Sequence, residues 1–92
     1  MQRPAAPSLA DVENARARLE GIITRTPLLR LQHEGPQEIY LKLELLQPVG
    51  SFKIRCAANA ILCMPAEDRK RGVTTASAGN FAQGLEIGRA HV

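Results

Sequence analysis

The stretch QPVGSFKIRCAANAIL, residues 47–62, decides the fold of this chain. It opens with a proline and glycine turn, and Ser51 can cap the helix that follows. Apolar side chains then recur at intervals of three and four residues, which places them on one helical face: Ile54, Ala57, Ala58, Ile61 and Leu62. Pro65 ends the pattern. The stretch therefore predicts an amphipathic helix with one face in the core.

Two segments that flank this helix have the character of β-strands. Glu38–Glu44 alternates polar and apolar side chains with a period of two, and Gly72–Ala76 is short and β-branched. A strand, a helix and a second strand in this order form a βαβ unit, which implies a parallel sheet with a right-handed crossover. The sequence therefore predicts an α/β fold.

A further helix is predicted near the start of the chain. Ser8 and Asp11 have the spacing of a helix cap, and apolar residues recur at helical spacing over Leu9–Ile23. Thr26-Pro27 interrupts this pattern, because proline disfavours helix at the residue before it. We therefore expect the helix to run from about Leu9 to Ile23.

Composition and charge exclude several classes of function. A chain of 92 residues, 45% of them hydrophobic and 23% charged, makes one small globular domain. The formal net charge is +3, and the basic cluster Arg69–Arg71 directly follows two acidic residues, as in a solvated turn. With one Tyr, two Phe and no Trp, the chain lacks an aromatic platform for single-stranded nucleic acid. We therefore expect no nucleic-acid partner.

Membrane and metal functions are also disfavoured. No apolar run approaches the ~18 residues of a membrane span, and Met1–Pro7 lacks the apolar region of a signal peptide. Cys56 and Cys63 lie outside any zinc-ligand spacing. We therefore expect no membrane partner, no metal site, packed free thiols and a location in the cytoplasm or another reducing compartment.

Lys53 is the first candidate for chemistry. It lies within the first turn of the predicted helix, where the partial positive charge of unpaired amide groups disfavours a second positive charge. A neutral, nucleophilic amine is what imine formation with an aldehyde cofactor requires. The position alone is not specific, since most lysines at helix starts are simply solvated.

The turn Ser77-Ala78-Gly79-Asn80 is the second candidate, and it precedes a helix predicted from about Phe81. Exposed backbone amides and the helix dipole make such a turn a natural seat for a carboxylate or phosphate. Gly79 lets the backbone approach a ligand closely, while Ser77 and Asn80 add hydrogen-bonding side chains. By itself, this segment is also compatible with an ordinary turn.

Four motifs, in order and spacing, resemble one family: the fold-type II pyridoxal-phosphate (PLP) enzymes, and within them the threonine/serine dehydratases. The motifs are Thr26-Pro27-Leu28, Leu41-Lys42-Leu43-Glu44, Gly50-Ser51-Phe52-Lys53-Ile54-Arg55 and Ser77-Ala78-Gly79-Asn80-Phe81-Ala82-Gln83-Gly84. The resemblance covers about Ser8 to Leu85. It implies a three-layer, parallel-sheet fold, present here as an incomplete amino-terminal portion, and PLP as the cofactor.

The resemblance also implies roles for individual residues. Lys53 would form the Schiff base with PLP and shuttle the α-proton, with Phe52 lying against the pyridine ring. The loop would bind the carboxylate of the amino-acid substrate through Ser77, Ala78, Gly79 and Asn80. Asn80 would also reach the 3-hydroxyl of the cofactor. The family's phosphate cradle and the residue facing the pyridine nitrogen would lie downstream of these motifs.

The activity that the resemblance implies is elimination of water from L-threonine or L-serine, which gives an aminoacrylate-type intermediate that hydrolyses to a 2-oxo acid and ammonia. The parent enzyme would be a homo-oligomer. A β-replacement synthase or a serine racemase of the same fold, and a non-catalytic truncated product, are the alternatives. The chain departs from the family at Cys56, where glycine is usual, and at Phe81, where histidine is frequent.

The last seven residues, 86–92, have a separate interpretation. Their sequence, EIGRAHV, matches what a widely used sequencing-adapter oligonucleotide would encode, and it breaks the apolar spacing expected of a packed helix after Leu85. We therefore expect residues 1–85 to be the amino-terminal portion of a PLP-dependent catalytic region, followed by a non-native tail.

Overall fold

The computed structural model describes residues 3–74 and 79–90. Two turns of 3-10 helix, Glu44–Leu46 and Pro48–Gly50, lie between the second strand and the second helix. The helices and strands, in chain order, are α1 (Leu9–Leu19), β1 (Leu28–Arg30), β2 (Tyr40–Lys42), α2 (Lys53–Cys63), α3 (Ala66–Lys70) and α4 (Asn80–Ala90). None of the helices within the described ranges is long and apolar enough to cross a bilayer.

Helix α2 forms the centre of the molecule, as the apolar stripe predicted. Its four fully buried residues are Ile54, Ala57, Ala58 and Ile61, while Leu62 is partly buried. The helix ends at Cys63, and its C-cap residue, Met64, is extended ahead of Pro65. The expectation of packed thiols is wrong: both cysteines are exposed, because they lie on the side of α2 opposite the buried stripe.

Helix α4 packs closely against α2 through two glycines. A Cβ atom built on Gly84 would lie 3.0 Å from the Cα of Ile54, and one built on Gly88 would lie 2.8 Å from the Cα of Ala58. The absence of side chains at these glycines therefore lets the two helix backbones approach each other. Gly84 lies against Ile54, and Gly88, four residues later in α4, lies against Ala58, four residues later in α2. The two helices therefore run in the same direction.

Residues 86–90 continue α4. Ile87 packs against the core cluster of Leu19, Ile54 and Ala58. The expectation that the last seven residues break the helical packing is therefore wrong for residues 86–90, since glycine at position 88 supports packing by close backbone approach. Residues 91 and 92 lie outside the described residues, and the origin of the tail stays a prediction.

The sheet of the described residues differs from the predicted one. It has two strands, and β1 pairs with β2 in antiparallel register, with Leu29 opposite Leu41. The expected strand Glu38–Glu44 is confirmed only over Tyr40–Lys42. Its expected parallel partner is not formed at residues 72–74, while residues 75 and 76 lie outside the described part of the chain. Pairing with β1 closes a short local loop, which costs less chain entropy than a crossover.

Helix α1 begins where the sequence predicted and ends early. The Asp11 amide donates to Ser8 Oγ at 3.1 Å, and the Ser8 amide donates to Asp11 Oδ2 at 2.8 Å, which completes a capping box. The predicted end at Ile23 is wrong: the helix stops at Leu19, because Glu20 turns to ψ 130° and Gly21 takes φ +83°. Gly21 is the residue type that tolerates this left-handed conformation.

Candidate functional site

Lys53 is the first residue of α2, as the sequence predicted, and it is exposed. The N-cap of the helix is Phe52 rather than Ser51. Ser51 nevertheless contributes, since its Oγ accepts a hydrogen bond from the Lys53 amide at 3.3 Å. The lysine therefore lies at the exposed amino end of the best-packed helix of the molecule.

The turn that leads to Lys53 is sharply bent. Val49 has φ +68° and Gly50 has φ +76°, so two consecutive residues lie in the left-handed region. Glycine adopts this conformation freely, whereas for a β-branched residue such as valine it costs roughly 1–2 kcal/mol. Val49 also packs against the core cluster, and this burial offsets part of the cost. Strain of this kind is frequent beside functional sites.

An open groove of about 500 Å³ lies between β2 and this turn. Phe52 lines the groove, and 62% of its surface is exposed. An exposed aromatic ring directly before the lysine is suited to contact a flat, aromatic ligand.

The predicted ligand loop lies at the start of α4. Ser77 and Ala78 lie outside the described residues, and Gly79 directly precedes the helix, which begins at Asn80. Because α2 and α4 run in the same direction with Gly84 against Ile54, their amino ends lie at the same end of the helix pair. Helix α4 also contacts the turn Pro48–Gly50 that precedes Lys53. The structure thus brings the backbone positions of Lys53 and Asn80 to one end of the pair.

A cluster of buried polar groups lies beside this end, and it centres on Glu44. Oε2 of Glu44 accepts hydrogen bonds from Thr26 Oγ1 at 2.7 Å and from Gln47 Nε2 at 3.0 Å. Oε1 accepts a hydrogen bond from Nε of Arg55, which is also its ion-pair partner. The carboxylate therefore joins the segment before β1, the turn after β2 and the first turn of α2.

Gln47 extends this cluster to the backbone of Thr24. Its Oε1 accepts from the Thr24 amide at 2.8 Å, and its Nε2 donates to the Thr24 carbonyl at 2.7 Å. Thr26 and Gln47 are only 3% and 4% exposed, so these hydrogen bonds satisfy polar groups that water does not reach. Lys42 Nζ donates to the Thr26 carbonyl at 2.5 Å. We call Thr26, Glu44, Gln47 and Arg55 the Glu44 network.

The network contains one ion pair, between the Glu44 carboxylate and the Arg55 guanidinium. Hydrogen bonds lower the pKa of Glu44 from 4.5 to about 2: the bond from Arg55 contributes most, and those from Thr26 and Gln47 add to it, while partial burial acts in the opposite direction and raises the pKa. Glu44 is therefore ionised at neutral pH, as an acceptor facing three donors should be. Glu44 belongs to one of the four predicted motifs but had no predicted role, and Gln47 was not predicted to belong to the site.

Comparison with known proteins assigns this arrangement a family. The family model described as "Pyridoxal-phosphate dependent enzyme" matches residues 19–88. That range contains α2, most of α4, Lys53 and every member of the Glu44 network. No solved structure matches the chain.

Curated relatives agree with one another. The L-threonine ammonia-lyase of Thermotoga maritima is 47% identical over 83 residues, which are 87% of this chain and 21% of that protein. The biosynthetic L-threonine dehydratase of Corynebacterium glutamicum is 48% identical over 79 residues, 83% of this chain and 18% of that protein. The catabolic L-threonine dehydratase of Staphylococcus aureus is 40% identical over 84 residues, 87% of this chain and 24% of that protein. The chain thus spans about a fifth of the length of these relatives.

Proposed function

Because the chain belongs to the pyridoxal-phosphate dependent enzyme family, we propose that the full-length protein is an ammonia-lyase that dehydrates L-threonine or L-serine to a 2-oxo acid and ammonia. The observation that carries the proposal is the meeting of Lys53 and the start of α4 at one end of the helix pair. The names of the three relatives support threonine chemistry. The predicted cofactor is confirmed at the level of the family.

The residues at this end fit pyridoxal phosphate. Lys53 offers an exposed primary amine, and Phe52 beside it offers an exposed ring that lines an open groove. When bound, PLP supplies an electron sink that stabilises negative charge at the α-carbon of an amino acid. The protein's part is to hold and orient the cofactor and the substrate, and to move protons.

We assign these tasks to the predicted residues. Lys53 would hold the cofactor covalently and would remove the proton from the substrate's α-carbon, after which the β-hydroxyl leaves as water. Phe52 would lie against the cofactor ring. Ser77, Ala78, Gly79 and Asn80 would bind the substrate carboxylate, and their place before the start of α4 supports this, because helix amino ends attract anions.

The wider organisation is also part of the proposal. Residues 1–85 would form the amino-terminal portion of a larger three-layer catalytic region with a parallel sheet, and residues 86–92 would be a non-native tail. The full-length enzyme would be a cytoplasmic homo-oligomer that takes a small amino acid as substrate. The match of this chain to only about a fifth of each relative supports the part of the proposal that places it within a larger catalytic region.

The test follows 2-oxo acid and ammonia formation from L-threonine and from L-serine by the full-length protein loaded with PLP. We expect Lys53→Ala to lower kcat/KM by about a thousandfold or more, since no neighbour can replace both the covalent anchor and the proton carrier. Lys70→Ala, at an exposed lysine of α3, is the matched control and should leave the rate unchanged. Full activity in Lys53→Ala would refute the assignment of the lysine.

A further inference from the structure

The Glu44 network has no part in the cofactor chemistry proposed above, yet it is extensive. A partly buried carboxylate with three donors is costly to desolvate. Here its donors come from three segments of the chain: Thr26, Gln47 and Arg55. None of these side chains has a role in the cofactor chemistry proposed above. The network nevertheless lies against the helix turn that carries Lys53.

Arg55 is the link between the network and that turn. It is the third residue of α2, and its amide donates to the Phe52 carbonyl at 3.0 Å, so its backbone belongs to the same first turn as Lys53. The side chain of the N-cap residue, Phe52, has no polar atom with which to cap the helix. The amino end of α2 therefore depends on other contacts. The Ser51 hydroxyl accepts a hydrogen bond from the Lys53 amide, and Arg55 forms an ion pair with Glu44.

We propose that Glu44 is a positioning residue: by holding Arg55 against Thr26 and Gln47, it fixes the first turn of α2 and thereby the place from which the Lys53 amine reaches the cofactor and the substrate. The proposal rests on the proposed function, and it adds a residue that acts through its neighbours. A flexible lysine is an efficient proton carrier only if its backbone anchor is fixed, because small displacements of a reacting group cost rate steeply.

The variant that tests the proposal is Glu44→Gln in the full-length, PLP-loaded protein. It keeps the size of the side chain but removes the charge that holds the Arg55 guanidinium. Glu38→Gln is the matched control: it makes the same chemical change at an exposed ion pair, Glu38 with Arg30 at 3.5 Å, whose side chains are 63% and 58% exposed. Arg55→Lys is the second variant, since it keeps the positive charge and loses the planar guanidinium.

Two readouts separate positioning from mere stability. The first is hydrogen exchange at the amides of Lys53–Arg55, which should be about fivefold faster in Glu44→Gln and in Arg55→Lys than in the control. The second is kcat counted per cofactor-loaded site, judged by the visible absorbance of lysine-bound PLP. We expect kcat to fall about tenfold or more, while KM changes less than about threefold, because the substrate carboxylate is bound elsewhere.

Two results would overturn the proposal that Glu44 positions Lys53. Exchange at residues 53–55 that matches the control would overturn the proposal, and so would fast exchange with an unchanged kcat per loaded site, which would leave the network a purely structural role. If Glu44→Gln does not fold, the same two readouts on Arg55→Lys decide. A wild-type protein that binds no PLP would contradict the proposed function, whereas the exchange rates would still report whether Glu44 fixes the turn.

Discussion

The Glu44 carboxylate accepts hydrogen bonds from Thr26, Gln47 and Arg55 and so joins three segments of the chain. In an alternating strand, a glutamate is expected to face solvent, and nothing in the spacing points to partners 11 and 18 residues away. Only the folded chain brings Thr26 and Arg55 to the carboxylate. The position of Lys53 at the start of α2 was easier to predict, because its signal is local: a turn, a possible cap and an apolar stripe that starts beside it.

The lowered pKa of Glu44 gives a pH dependence of stability. In the folded chain it is about 2, below the ordinary 4.5, so the carboxylate stabilises the fold at pH values above 4.5, and this contribution is lost as the pH falls towards 2. At neutral pH we expect Glu44→Gln to lower the free energy of unfolding of the full-length protein by about 1–2 kcal/mol, after allowance for solvent screening.

Denaturant unfolding of wild type and Glu44→Gln between pH 7 and pH 2.5 measures this effect. The difference between the two proteins should stay constant down to about pH 4.5 and then narrow. Glu38→Gln, at the exposed pair, should differ little from wild type throughout. A gap between wild type and Glu44→Gln that stays constant to pH 2.5 would contradict the account of the carboxylate.

At the scale of elements, helices α1 and α2 could be predicted from the sequence, because their signals lie within a few neighbouring residues. The stripe from Ile54 to Ile61 gave α2 and its buried face, and Ser8 with Asp11 gave the start of α1. Strand pairing could not be predicted in the same way, because a period of two identifies a strand but not its neighbour. Gly21 could have indicated the early end of α1, but the apolar spacing, which continues to Ile23, favoured the prediction of a longer helix.

The packing of α4 on α2 leads to a prediction at Gly84. An added methyl group would lie 3.0 Å from the Cα of Ile54, which is backbone and cannot move aside without shifting α2. Although alanine favours helix, we expect Gly84→Ala to lower the free energy of unfolding of the full-length protein by about 1–3 kcal/mol. Denaturant unfolding checks this, with Gln83→Ala at an exposed position of α4 as the control. A stabilised Gly84→Ala would show that the helices do not approach as described.

The whole molecule is more extended than a chain of its length should be. Its radius of gyration is 16.0 Å, with extents of 53 × 30 × 27 Å, whereas a compact domain of this size has a radius of about 12 Å. Among the described residues the buried hydrophobic side chains are few: Leu19, Ile54, Ala57, Ala58 and Ile61. Both strands of the sheet are exposed along their length. The core is therefore small for the surface that surrounds it.

This shape predicts that the 92-residue chain by itself is marginally stable. Exposed strand edges and apolar side chains such as Leu28 and Leu45, 62% and 66% exposed, favour association over a cooperative fold. Thermal unfolding followed by circular dichroism should give a broad transition or aggregation. A sharp two-state transition of a monomer, verified by sedimentation, would show that the chain is a sufficient folding unit.

The central claim, that Lys53 holds the cofactor, is tested most directly by chemical trapping. Borohydride reduction of the full-length protein with PLP converts a lysine-bound cofactor into a stable secondary amine, which peptide mass spectrometry locates. The chain offers two other lysines as internal comparisons: Lys42, whose amine donates to the Thr26 carbonyl, and Lys70, which is exposed on α3. The account predicts a phosphopyridoxyl group on Lys53; a group on Lys42, on Lys70 or outside this chain, with Lys53 unmodified, would contradict it.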